Sequence, residues 1–336
     1  MDLLTFEDVS KAFQVPRQFS DFLFRRPAST IQAVRSINLE IKQNEILGIA
    51  GESGCGKSTT CMMGAGLLNP TSGRIRYCGR DIANMSRADL VEFRKSVQLI
   101  FQDPFESLNP RFMIEDIVAE GPRAMKLWPE MEIRKKVSEI LREVGLDPTR
   151  FAHRYPHELS GGERQRVGIA AALVCEPKIV IADEPLSMLD VSIRADILDL
   201  IKNLARDRQF SCVYVSHDLS ILGNVADRVL IMYLGQAVEL GNAKDVIQSP
   251  AHPYTRALIS SVPIPDPRID RGVPNIIGDI SLPVNAGQGC SFAPRCPYAE
   301  AECAKRFDAL DTATSVHQSA CWKSDPCFAG VTDDHS

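Results

Sequence analysis

The stretch Gly51-Glu52-Ser53-Gly54-Cys55-Gly56-Lys57-Ser58 fills every fixed position of a G-x-x-x-x-G-K-[ST] loop. It follows the apolar run Ile46-Leu47-Gly48-Ile49-Ala50 and precedes a segment, Thr59 to Leu68, that reads as a helix. That order predicts a strand, a tight loop and a helix at the start of a parallel sheet, and so an α/β fold. The glycines let the backbone curl until successive N–H groups face one phosphate chain. Lys57 then reaches the β and γ phosphates and the Ser58 hydroxyl can ligate Mg²⁺. The dipole of the following helix adds to the same anion site.

A second run, Lys178-Ile179-Val180-Ile181-Ala182-Asp183-Glu184, is an apolar strand ending in adjacent carboxylates. Such a strand in a parallel sheet is buried on both faces, and polar residues at its carboxyl end lie where ligands bind. Asp183 is placed for the Mg²⁺ shell and Glu184 for polarising an attacking water. An isolated Asp-Glu pair could equally cap a helix; the loop at 51–58 favours the catalytic reading. Downstream, Cys212-Val213-Tyr214-Val215 ends at Ser216-His217-Asp218. His217 can donate a hydrogen bond to a γ-phosphate there, although read alone it is as good a structural cap.

A length of 336 residues with 44% hydrophobic and 24% charged residues fits one large core with a smaller appended unit. The net charge of −5 gives no electrostatic reason to expect nucleic acid. No basic segment leads into an apolar run, and no apolar stretch approaches the roughly 20 residues of a membrane helix. The chain is therefore expected in the cytosol, with most of its ten cysteines reduced.

Toward the C-terminus the cysteines cluster as Cys290-x5-Cys296-x6-Cys303-x17-Cys321, with Cys327 beyond. Structural zinc sites commonly use tighter C-x2-4-C pairs. The looser spacing is compatible with a [4Fe–4S] cluster, with zinc and plain reduced thiols left open. Prolines at 250, 253, 263, 265, 267, 274 and 283 predict an extended connector before this cluster. The segment 14–30, with Arg25-Arg26-Pro27, reads as an exposed loop.

Leu159-Ser160-Gly161-Gly162-Glu163 lies between the loop and the carboxylates. With Gln102 in Leu99-Ile100-Phe101-Gln102-Asp103 and with Ser187-Met188-Leu189-Asp190, the chain resembles the ATP-binding subunit of an ATP-binding-cassette transporter. All of these motifs fall in the family's order within about 170 residues, which is far more specific than any one of them. The resemblance implies a P-loop NTPase (RecA-like) core with an antiparallel β subdomain and an α-helical subdomain inserted at about 90–170. That nucleotide-binding domain would occupy 1–250, and a small cysteine-containing extension 251–336. It implies adenine stacking on Phe13 and ATP contacts from Gly51, Glu52, Ser53, Gly54, Cys55, Gly56, Lys57, Ser58, Thr59, Gln102 and Asp183. Mg²⁺ would be held through Ser58, Gln102 and Asp183. Ser160, Gly161, Gly162 and Glu163 would close over ATP held by a second subunit, with Asp190 in the D-loop of that interface. Gln102 would also link the nucleotide state to a docking helix of the membrane subunit.

Three further stretches resemble the dipeptide and oligopeptide importer subfamily, which also contains nickel and glutathione importers. They are Tyr155-Pro156-His157-Glu158-Leu159, the run from Phe101 to Pro110 and His252-Pro253-Tyr254-Thr255-Arg256-Ala257-Leu258. The implied partners are a second cassette, paralogous or identical, two transmembrane permease subunits and an extracytoplasmic solute-binding protein. The implied place is the cytoplasmic face of the inner membrane, peripherally bound. C-terminal cysteine sets of this kind are linked to [4Fe–4S] clusters in some members. A soluble cassette acting on nucleic acid or ribosomes generally carries two cassettes or long coiled-coil inserts, and neither is present; the subfamily stretches also disfavour an exporter. Met188 replaces the usual alanine, and Glu163 the commoner Gln or Met, where its carboxylate near a phosphate is expected to be mildly unfavourable. Neither change removes a reacting group, so a competent cassette is expected.

Overall fold

The computed structural model of the chain describes residues 2–14, 30–261, 287, 289–310 and 317–322. Residues 15–29 of the loop expected over 14–30, the prolines at 263, 265, 267, 274 and 283, and Cys327 lie outside the described residues. Two compact units interleave along the sequence. One comprises Ile41–Ile46 with Asn84–Val215; the other comprises Asp2–Glu40, Leu47–Ala83 and Ser216–Ser336. They are called here the carboxylate unit and the loop unit.

The loop unit begins with a four-stranded sheet in the order β2-β1-β4-β5. These are β1 (Asp2–Gln14), β2 (Thr30–Lys42), β4 (Ser72–Tyr77) and β5 (Arg80–Asp81). β1 runs antiparallel to β4 with Leu4 opposite Tyr77 and Phe6 opposite Ile75. Leu4 and Phe6 alternate onto the buried face; a register shift between Glu7 and Ser10, with Asp8 at φ 49, then changes the phase so that Val9 also turns inward. β3 (Ile46–Ala50) enters a parallel pairing and leads into the loop and α1 (Lys57–Gly64). The helix is shorter than the sequence predicts.

In the carboxylate unit, β6 (Val97–Ile100), β7 (Ile179–Asp183) and β8 (Ser211–Val215) are parallel, with Val97 opposite Ile179 and Asp183 opposite Val215. Every residue of β7 and β8 is buried, as a continuous apolar run covered on both faces requires. Its longest helices are α2 (Ile114–Met125), α3 (Glu130–Glu143), α4 (Gly161–Leu173) and α5 (Val191–Arg208). In α3, Ile133, Val137, Ile140 and Leu141 are buried at i, i+4, i+7 and i+8, one stripe of a 3.6-residue period.

The rest of the loop unit adds β9 (Arg228–Tyr233), parallel to β3, and β10 (Gln236–Asn242), antiparallel to β9. Residues 250 and 253 do not belong to an extended connector. Pro253 opens helix α6 (Pro253–Ser260), where its missing N–H costs nothing and its fixed φ suits the first turn. His252 caps that helix, its Nδ1 accepting the Tyr254 N–H at 3.1 Å. Finally β11 (Gln318–Ser319) pairs antiparallel with β10, Glu239 opposite Ser319. Among the described residues no helix is long and apolar enough to cross a membrane.

Candidate functional site

In the loop unit the backbone of residues 51–57 curls around its own lysine. The Lys57 ammonium, only 5% exposed, donates to the carbonyls of Gly51 at 2.8 Å and Glu52 at 3.0 Å. Gly56 caps α1 at φ 104, where an added Cβ would meet the Ala33 carbonyl at 2.3 Å, so only glycine fits. The positive end of the helix is thus left without a capping side chain, as an anion site needs. Ser53 and Gly54 are exposed at the tip, and Ser58 and Thr59 are half-buried in the first turn. Ammonium, hydroxyls and an uncapped helix suit a phosphate chain with Mg²⁺. Cys55 turns inward beside Lys57, its sulfur 3.9 Å from Nζ, and burial pushes its thiol up. Phe13 presents an exposed ring on β1 with the Lys11 ammonium 5.4 Å from its centroid. His217 is exposed just before Asp218, which caps the next helix.

In the carboxylate unit Asp183 is buried at the end of β7. The next residue, Glu184, has φ 44, a left-handed conformation that costs a non-glycine residue of order 1–3 kcal/mol. Three bonds hold it there. Its N–H donates to the Val215 carbonyl at 3.2 Å, and its own carbonyl accepts from Ser187 N–H at 3.1 Å and from the Ser187 hydroxyl at 3.0 Å. The kink turns the carboxylate to Gln102, whose Nε2 donates to Oε2 at 3.4 Å. Two motifs eighty-two residues apart in sequence thus share one contact, which no local pattern foretold.

Ser160, Gly161, Gly162 and Glu163 form a separate constellation at the start of α4. Ser160 caps the helix and its hydroxyl accepts the Glu163 N–H at 3.4 Å. The Glu163 carboxylate reaches back to the Ser160 N–H and hydroxyl, both at 2.8 Å. These two bonds hold the Glu163 carboxyl below its ordinary range, backbone N–H first. The carboxylate is therefore well served at the positive helix end within this unit, and the S-x-x-E capping box was readable at 160–163. Asp190 caps α5 without a side-chain bond and is exposed, flanked by Met188 and Val191 at 54% and 78% exposure.

The C-terminal cysteines also come together in the loop unit. Cys290, Cys296, Cys303 and Cys321 line one cavity, walled by Phe292 and Trp322. Its two turns are stitched by the Cys290 N–H to the Cys303 carbonyl at 2.9 Å. An added Cβ on Gly289 would meet the Ala304 carbonyl at 2.2 Å, so that approach needs glycine. The buried Gln236 grips the first turn at both ends of its amide, to the Gly289 carbonyl at 3.1 Å and from the Ser291 N–H at 2.8 Å. Burial pushes the Cys290 thiol up to about 11, while N–H groups of Phe292 and Ala293 favour its thiolate. The Cys303 sulfur accepts the Glu300 N–H at 3.5 Å. Among the described residues no three Cys, His, Asp or Glu side chains are gathered closely enough for one ion. Zinc would draw its sulfurs to about 2.3 Å from a single point, whereas a cubane takes one thiolate at each iron. Cys175 and Cys212, by contrast, are packing thiols pushed up to about 12 by burial.

A glycine loop closed on its own lysine after a parallel strand, a kinked acidic strand end and a serine-capped Gly-Gly helix are the features of an ATP-binding-cassette ATPase. Residues 34–187 match the ABC transporter family, and residues 238–303 match the oligopeptide/dipeptide transporter C-terminal region. The oligopeptide transport ATP-binding protein OppF of Salmonella typhimurium is 44% identical over 90% of this chain and 91% of its own length. The oligopeptide transport ATP-binding protein AppF of Bacillus subtilis is 42% identical over 95% and 96%. Among solved structures, cbiO1 of Clostridium perfringens, part of the ABC transporter complex cbiONQ, superposes with a TM-score of 0.62. It shares 32% identity and covers 74% of this chain and 92% of its own. The cassette MJ0796, dimeric and bound to ADP and Pi in a post-hydrolysis state, matches at a TM-score of 0.62 and 27% identity. That match covers 72% of this chain and 99% of its own. The chain belongs to the ABC transporter family, in the branch of ATP-binding subunits that carries the oligopeptide/dipeptide C-terminal region.

Proposed function

We propose that this chain is the ATP-hydrolysing, energy-coupling subunit of a peptide importer. The observation that carries the reading is the match of residues 238–303 to the oligopeptide/dipeptide region on a chain 44% identical to an oligopeptide transport subunit. It works on the inner face of the membrane as one of two cassettes beneath two permease subunits, supplied by an extracytoplasmic binding protein. The OppF and AppF relatives support the permease partners, and the dimeric cassette structure supports the pair of cassettes.

In this reading the 51–58 backbone and Lys57 bind the phosphates, and Phe13 takes the adenine. Ser58, Gln102 and Asp183 would hold Mg²⁺, which neutralises charge on the β and γ oxygens when bound. Glu184 orients and deprotonates the attacking water, with Gln102 fixing its carboxylate, and His217 donates to the γ-phosphate. Ser160, Gly161 and Gly162 close over the nucleotide of the partner cassette, with Asp190 beside them. Glu184→Gln in the assembled transporter is expected to keep ATP binding and to slow hydrolysis and peptide uptake about 10²- to 10⁴-fold. Near wild-type turnover would remove Glu184 from the mechanism, and a co-purifying binding protein that ignored peptides would remove the cargo.

The four-cysteine cavity is proposed to hold a [4Fe–4S] cluster through Cys290, Cys296, Cys303 and Cys321. Two of its sulfurs already accept backbone N–H groups, the kind of bond that tunes such clusters. Anaerobic purification with iron, sulfide and zinc analysis tests it: colourless, iron-free protein would refute it.

A further inference from the structure

One residue of the phosphate loop is held by the cysteine-bearing segment. The Glu52 carboxylate accepts from Arg295 Nη1 at 3.2 Å, with the two side chains 24% and 12% exposed. The same Nη1 lies 3.2 Å from the Tyr233 hydroxyl, and Arg295 Nε is buried with no hydrogen-bond partner. The backbone N–H of Glu52 donates to the Tyr254 hydroxyl at 2.9 Å. Tyr254 and Tyr233 pack on each other and on Phe292, two residues after Cys290, with ring centroids 4.6 to 5.4 Å apart. All of these residues belong to the loop unit.

The placement of Glu52 raises a charge problem. A carboxylate in the turn that receives the β and γ phosphates opposes them in a partly desolvated setting, where like charges repel more strongly than in water. Arg295, 3.2 Å from that carboxylate, offsets its charge. The guanidinium is fixed in turn by its bond to Tyr233 and by the short helix of residues 293–295 that runs into Cys296.

We propose that Arg295 is a positioning residue of the nucleotide site: it neutralises Glu52 and holds the phosphate loop in its binding shape from within the cysteine-bearing segment. This rests on ATP binding and not on what the cysteines hold. Nucleotide affinity is then a property of the C-terminal segment as well as of the loop.

The test is equilibrium binding of MgATP and MgADP to the full chain, by calorimetry, in Arg295→Gln, Glu52→Gln, Arg295→Lys and the Glu52→Gln/Arg295→Gln double variant. Arg295→Gln is expected to weaken MgATP about tenfold, the middle of the range for coupled neighbours, and MgADP less, because it carries one phosphate fewer. Arg295→Lys keeps the charge and recovers most of the loss. The double variant returns toward wild type, since the opposing carboxylate is gone. A double variant as weak as Arg295→Gln would overturn the proposal, because the loss would then come from a disordered segment. Wild-type affinity in Arg295→Gln would overturn it as well. Should Arg295→Gln not fold, Glu52→Gln decides alone: with the Arg295 charge no longer offset, MgATP binding tighter than wild type supports the proposal, and equal or weaker binding refutes it.

Discussion

His317 lies four residues before Cys321 and ties the last described segment to β10. Its Nε2 is 2.6 Å from Oε1 of Glu239, a carboxylate that is fully buried. Glu239 also accepts the N–H groups of Ala251 and His252, both at 2.8 Å. Replacing His317 by Ala therefore removes one of three bonds and leaves the carboxylate two backbone donors. The loss is that of one charge-assisted hydrogen bond, about 1.5–3 kcal/mol. The bond to Glu239, foremost, raises the His317 pKa above its ordinary 6.5. A raised folded-state pKa means that the pairing stabilises fully below pH 6.5 and fades as pH climbs through the folded value. A neutral imidazole still donates one N–H, so a remainder persists. The assay is hydrogen exchange at Ala320, whose N–H donates to the Val238 carbonyl at 2.8 Å and reports opening of this segment. Referenced to intrinsic rates at each pH, the protection lost on His317→Ala should be largest near pH 6 and smaller near pH 9. Equal losses at both, or a larger one at high pH, would refute the ion-pair reasoning.

Substitutions at two further positions probe the site. Glu163→Ala should lower stability by about 1 kcal/mol and speed exchange in the first turn of α4, while Glu163→Gln, which can still cap, should leave both nearly unchanged; equal effects would mean that the capping box contributes nothing. Gly56→Ala forces a Cβ to 2.3 Å from the Ala33 carbonyl at φ 104 and should abolish MgATP binding measured by calorimetry; retained binding would show that the loop adapts.

What the sequence made legible was whatever a short stretch determines by itself. The loop at 51–58 and the apolar runs at 179–183 and 212–215 follow from local spacing and composition, and the structure forms the loop and two buried strands there. The capping role of Glu163 was also local, but an expectation about phosphate hid it. Pro253 was legible in principle too: a proline before a helical run marks a first turn as readily as a connector. The contacts that bind the site together are of another kind. Gln102 meets Glu184 across eighty-two residues, His317 meets Glu239 across seventy-eight, and Arg295 meets Glu52 across two hundred and forty-three. Each is set by tertiary packing, for which local propensity carries no information.

The long-range contacts made by residues beyond 250 share a pattern. Gln236 and Glu239 on β10, Tyr233 on β9 and Glu52 in the phosphate loop all bond residues beyond 250. Three of these four are buried polar or aromatic residues that an isolated cassette would have to leave without those partners. A chain cut at about residue 250 would strip both backbone donors and His317 from the fully buried Glu239, uncovering a carboxylate that cannot stay buried unpaired. Truncation is thus expected to destabilise β10 itself and, through the loss of Arg295 and Tyr254, to loosen the phosphate loop. A truncated chain that kept wild-type stability and MgATP affinity in calorimetry would show that the extension is an appendage, whereas the bonding described here makes it part of the nucleotide-binding fold.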